Sequence, residues 1–100
     1  MNRLYIRHAV GSMLLFDTEK HGGSYVLEQI DGGWKFTIGI SDADVAEMLL
    51  RFRDELNLFV IPEDNPNQKY WFYSRSGALQ VDKEAKQAVI IADSRLDYTV

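Results

Sequence analysis

Residues 31–56 read DGGWKFTIGISDADVAEMLLRFRDEL, and the change of period inside this stretch decides the fold class. Trp34, Phe36, Ile38 and Ile40 alternate with Lys35, Thr37 and Gly39, the period of two of a strand with one face in a core. From Val45 the apolar residues recur instead at spacings of three and four, through Met48, Leu49, Phe52 and Leu56, which forms one stripe on a helix. Ser41 precedes the helix as a cap, Asp44 stands three residues later, and acidic residues crowd the first turn, where the helix dipole favours them. The spacing predicts a helix over about residues 41–57, with Glu47 and Arg51, then Arg51 and Glu55, paired along its exposed side.

Upstream, Asp31-Gly32-Gly33 joins Tyr25–Ile30 to Trp34–Ile40 as a hairpin, since Asp-Gly tolerates the positive φ angles of a tight turn. Residues Thr18 to Ser24 contain His21-Gly22-Gly23 and read as a loop. Met13–Asp17, apolar on both faces, reads as an interior strand. In Asn2–His8, Leu4, Ile6 and His8 share one face, and Arg3, Tyr5 and Arg7 share the other.

Downstream, Leu58–Ile61 reads as a short strand, and the prolines and asparagines of Pro62–Lys69 make a polar loop. Lys69–Ser74 leads through a Ser76-Gly77 turn to Ala78–Asp82. Gln87–Ala92, apolar on both faces at Ala88–Ala92, reads as central, and Asp93-Ser94 turns the chain into Arg95–Val100. The expectation is one α+β domain over residues 1–100, in two layers: a mostly antiparallel sheet of six or seven short strands on one amphipathic helix. A helix of that length reaches only roughly 24 Å, so the sheet must curl round it or bury its second face elsewhere. A homodimer or a partner complex would meet that need.

Composition narrows the function classes. The chain has 100 residues with no cysteine, which removes disulfide frameworks, cysteine-based zinc sites and thiol nucleophiles. The start lacks the apolar run of a signal peptide, and the longest apolar runs are too short to cross a bilayer, so a cytoplasmic protein with no membrane partner is expected. Net charge is −4, with four basic and four acidic residues in positions 1–40 against seven and eleven in 41–100. That balance disfavours nucleic acid as a partner.

Chemistry-bearing motifs are sparse. No Gly-x-Ser-x-Gly elbow exists, and no glycine spacing leads from a strand into a phosphate-binding helix. His8 continues a packed strand face and His21 lies among glycines. Asp17, Glu19 and His21 would share a face only in an extended stretch, and three ligands in a loop make a poor metal site. Glu63-Asp64-Asn65-Pro66-Asn67 matches a calcium loop in composition and not in ligand spacing. The expectation is therefore no catalytic residue, no metal and no cofactor.

What stands out is Tyr70-Trp71-Phe72-Tyr73, because a strand sends two of these aromatics to each face. Either both faces are covered or one pair forms a surface patch that a partner binds. The candidate partner-binding residues are Trp71 and Tyr73, the Arg3, Tyr5 and Arg7 face, and the acidic Glu63 and Asp64. The favoured function is a small non-catalytic protein-binding domain, such as a phage-encoded inhibitor of a host defence or a toxin-immunity protein. A phage structural or assembly protein is the alternative, and a nucleic-acid module using Arg3, Tyr5 and Arg7 is the second.

Overall fold

A computed structural model describes residues 2–74 and 79–99. Its elements, in chain order, are β1 (Arg3–His8), β2 (Leu14–Asp17), α1 (Thr18–His21), β3 (Tyr25–Ile30), β4 (Gly33–Gly39), α2 (Ala43–Arg51), β5 (Leu56–Ile61), β6 (Gln68–Tyr73), β7 (Leu79–Asp82), β8 (Gln87–Ala92) and β9 (Ser94–Thr99). The α+β class is as read from the sequence. The architecture differs, because the strands divide into two antiparallel sheets, β2-β1-β5-β6-β9 and β3-β4-β8-β7.

The nine described strands exceed the total of six or seven expected, although each corresponds to a segment read as extended in the sequence. The second sheet, rather than the helix, is what covers the inner face of the first. Phe72 on β6 meets Phe36 and Trp34 on β4 edge to face, at centroid distances of 5.0 and 5.5 Å. Leu4, Ile6, Leu58, Val60 and Phe72 from one sheet and Phe36, Ile38, Ala88 and Ile90 from the other belong to one buried cluster. Such burial supplies the main driving force for folding.

The hairpin forms as read: Ile30 pairs with Gly33, and Gly32 between them takes φ 79°. Gly33 is needed for a different reason, lack of space. A Cβ there would stand 2.1 Å from the Ala92 carbonyl oxygen on β8. β8 lies between β4 and β7, the interior position expected of it. The Ser76-Gly77 turn falls outside the described residues, as do Ala78 and Val100.

α2 is shorter than the 41–57 expected. Its N-cap is Asp42, whose carboxylate accepts the Asp44 N–H at 2.8 Å, and it ends at Arg51. The spacing from Phe52 to Leu56 continues the helical stripe, but Leu56, Leu58 and Val60 also alternate, and pairing with β1 claims them as strand. Tertiary pairing thus overrides the local pattern. Glu47 pairs with Lys83 at 3.1 Å, and Glu55 stands 3.3 Å from His8, so the expected Arg51–Glu55 helix pair does not form.

A nine-residue helix spans only about 13 Å and cannot cover a sheet. α2 touches β2 of one sheet and β7 of the other, closing the gap between their edges with Val45, Ala46 and Leu49. Two further expectations change. Met13–Asp17 supplies an edge strand, β2, not an interior one; its apolar side chains are covered by the core and by the two helices that touch it. Residues 18–21 are a helical turn rather than loop, capped by the Asp17 carboxylate at one end and by Gly22, φ 67°, at the other.

Candidate functional site

Strand register assembles a row of side chains on the outer face of the five-stranded sheet. Tyr5 on β1 opposes Phe59 on β5, Phe59 opposes Trp71 on β6, and Trp71 opposes Leu96 on β9. Asp17 on β2 continues the row beyond Tyr5. These residues face outward because their neighbours along each strand, Leu4 and Ile6, Leu58 and Val60, and Phe72, are buried in the core. With a side-chain period of two, one buried face specifies the other.

The rings in the row pack on each other. Tyr5 and Phe59 stack at 5.0 Å with planes 20° apart, and Phe59 and Trp71 at 6.2 Å and 19°. Tyr73 leans on Trp71 at 5.2 Å. Asn57 fixes the indole by accepting from Trp71 Nε1 at 3.0 Å. Asn57, Phe59, Trp71, Leu96 and Asp97 line a shallow, mostly apolar hollow, at whose edge Leu96 is 49% exposed.

Cations gather at the Tyr5 end. The Arg3 and Arg7 guanidinium carbons lie 5.0 and 5.5 Å from its ring centroid, and Lys69 Nζ lies 5.4 Å from both Tyr5 and Phe59. These contacts leave Tyr5 only 6% exposed. Arg3 is further committed, since its guanidinium donates to both Asp17 oxygens at 2.6 and 3.2 Å and approaches Glu19 at 3.4 Å. Burial pushes the Asp17 carboxyl up, but hydrogen bonds from Arg3 and the Glu19 N–H, with the nearby positive charges, outweigh it and hold the group below the ordinary aspartate value. The same hydrogen bond raises Arg3 against its own desolvation. Arg7 Nη1 donates to the Ser12 carbonyl at 2.9 Å.

Of the residues singled out in the sequence, Arg3, Tyr5, Arg7, Trp71 and Tyr73 therefore share one face. Tyr70 and Phe72 are the inner pair of the aromatic run. Glu63 and Asp64 lie in the exposed loop after β5, where the Glu63 N–H donates to Asn2 Oδ1 at 3.1 Å. Glu63 borders a shallow hollow with Arg3, but neither acid belongs to the aromatic row.

Phe59, Asn57, Lys69 and Leu96 were not among the candidates. The alternation of Leu56, Leu58 and Val60 would have sent Asn57 and Phe59 outward, had the strand's start been read at Leu56 rather than Leu58.

Both histidines stack on phenylalanine rings. His8 stacks on Phe52 at 4.1 Å, and its Nε2 is buried without hydrogen-bond geometry to the nearby Glu55. His21 Nδ1 accepts the Asp17 N–H at 3.0 Å, and its ring stacks on Phe16. The helical turn at 18–21 removes the extended stretch in which Asp17, Glu19 and His21 would share a face. Among the described residues no group of three acidic or histidine side chains is placed to hold a metal ion. No helix in them is long and apolar enough to cross a membrane.

No family model, curated protein or solved structure matches the chain.

Proposed function

We propose that the protein is a non-catalytic binding module that holds another protein against the outer face of its five-stranded sheet, in the manner of a small inhibitor or immunity-type protein. The observation that carries this reading is the row Tyr5–Phe59–Trp71–Leu96, aromatic and apolar side chains aligned across four strands on the face of the sheet turned away from the core. Aromatic residues with arginine at the margin are the composition of interface hot spots. Arg3, Arg7 and Lys69 would form a charged rim at one end, and the Leu96 hollow an apolar seat at the other.

A single-stranded nucleic acid is the competing ligand, because the cations around Tyr5 could meet phosphates and the rings could stack bases. Two features favour protein. The ring faces of Tyr5 and Phe59 are already stacked on each other, and the Arg3 charge is matched by Asp17. The chain as a whole is acidic, which weakens the electrostatic term on which nucleic-acid affinity depends.

The test is a photo-crosslinking residue, p-benzoylphenylalanine, placed at Tyr73 and, as a control, at Val26 on the outer face of the other sheet. Irradiation in native lysate should give a discrete protein adduct from Tyr73, unaffected by nuclease, and none of the same mass from Val26. An adduct destroyed by nuclease would favour the nucleic-acid reading. Equal labelling from both sites would remove the assignment of this face.

A further inference from the structure

β9 is the outermost strand of the five-stranded sheet, paired with β6 on one side. An edge strand leaves one row of N–H and C=O groups available for pairing with another chain, and proteins blunt most such edges. The other edges here are treated differently. β2 and β7 have four residues each; β2 is bulged against β1 and touched by both helices, and β7 is touched by α2. β3 has six residues but carries one charge, Glu28, and no basic residue to meet it in a second copy.

Among the described residues β9 pairs with β6 alone and carries no bulge, and its sequence is complementary to itself. Its sequence Ser94-Arg95-Leu96-Asp97 places a cation and an anion on either side of an exposed leucine. Arg95 and Asp97 project to the side of Phe72 and Tyr70, where they form a two-bond pair at 2.7 and 2.8 Å and remain 37% and 44% exposed. Leu96 projects to the opposite side, next to Trp71.

We propose that β9 is a homodimerisation edge, pairing antiparallel with β9 of a second copy of this chain about a two-fold axis at Leu96. That register sets Leu96 opposite Leu96 of the second copy. Symmetry then sets Arg95 of each chain opposite Asp97 of the other, so both charges are answered twice. Opposite charges facing each other across antiparallel strands stabilise the pairing, and a two-fold interface must be self-complementary in this way. The charge pattern selects a second copy over an unrelated strand.

Pairing joins the two five-stranded sheets into one. The row Tyr5, Phe59, Trp71, Leu96 of one copy would run straight into Leu96, Trp71, Phe59, Tyr5 of the other. The dimer does not depend on the outer face binding a partner, and its test requires none.

Sedimentation equilibrium from about 1 μM to about 1 mM covers the range in which a strand-edge dimer would assemble. The wild-type chain should approach twice its 11.5 kDa mass. R95D and D97R alone each set like charges together and should be monomeric. Mixed in equal amounts they restore both opposite-charge pairs and should dimerise again, as should the R95D/D97R double variant. L96E places two carboxylates at the axis and should be monomeric with its melting transition kept. Arg95 also covers the Tyr70, Trp34 and Phe72 rings, so R95D could lose its fold. D97R and L96E then decide. A wild-type chain that stays at its monomer mass throughout, or a dimer that survives L96E and D97R, would overturn the proposal.

Discussion

The guanidinium of Arg3 holds the carboxylate of Asp17 across the β1–β2 pairing, with Nη2 2.6 Å from Oδ2 and Nε 3.2 Å from Oδ1. Asp17 is 1% exposed in its side chain, and it also caps α1 through the Glu19 N–H. One carboxylate thereby ties a sheet edge, a helix start and the basic end of the aromatic row. Replacing Asp17 by Asn should cost about 1.5–3 kcal/mol, the usual value of hydrogen bonds to a charged group, in urea unfolding at neutral pH.

The same carboxylate makes stability depend on acid. Its folded-state pKa is lowered, so its contribution is complete above the unfolded value of about 3.9 and is lost as pH falls through the folded pKa. Unfolding free energy should therefore decline below about pH 4 more steeply in the wild type than in Asp17→Asn. Parallel slopes in the two proteins would show that Asp17 does not carry the effect.

Leu49 is fully buried on α2, where the helix closes the gap between β2 and β7. Leu49→Ala should destabilise the protein by about 2–5 kcal/mol. A loss of about 0.5 kcal/mol or less, the surface range, would contradict that placement.

At Gly33 the restriction is backbone against backbone. A methyl group there meets the Ala92 carbonyl, which cannot rotate away as a side chain could. Gly33→Ala should cost about 1–3 kcal/mol, read as a lowered melting temperature, although the hairpin turn itself is untouched.

Much of the local structure was legible in the sequence, and the long-range partition was not. Asp31-Gly32 announced its hairpin because a two-residue turn is a local requirement, and Trp34–Ile40 announced its buried face because alternation needs no knowledge of the partner. The helix start was legible within a residue. Its end was not, since Leu56 fits both the helical spacing from Phe52 and the alternation with Leu58, and only pairing with β1 decides between them. The division into two sheets rests on pairings such as Tyr5 with Phe59, which are remote in sequence and leave no local mark. For the same reason Tyr70-Trp71-Phe72-Tyr73 announced that two aromatics face each way, but which two depends on Phe36 and Trp34 waiting on the other sheet.

That assignment has a direct consequence. Phe72→Ala removes a ring packed between the sheets and should cost about 3–5 kcal/mol, whereas Trp71→Ala, on the outer face, should cost clearly less in the same unfolding experiment. Equal losses would mean that the outer face is as structural as the inner one.

An outer aromatic row that holds a partner and one that is merely a solvated side of the sheet respond differently to one change. That change is the double substitution Phe59→Ser with Trp71→Ser in the chain carrying the crosslinker at Tyr73, with adduct yield and thermal melting measured on the same preparation. The protein should still melt cooperatively while the protein adduct falls at least about tenfold, as the loss of two interface anchors worth roughly 2 kcal/mol each requires. A folded variant that keeps its full adduct yield would show that this row does not hold the partner.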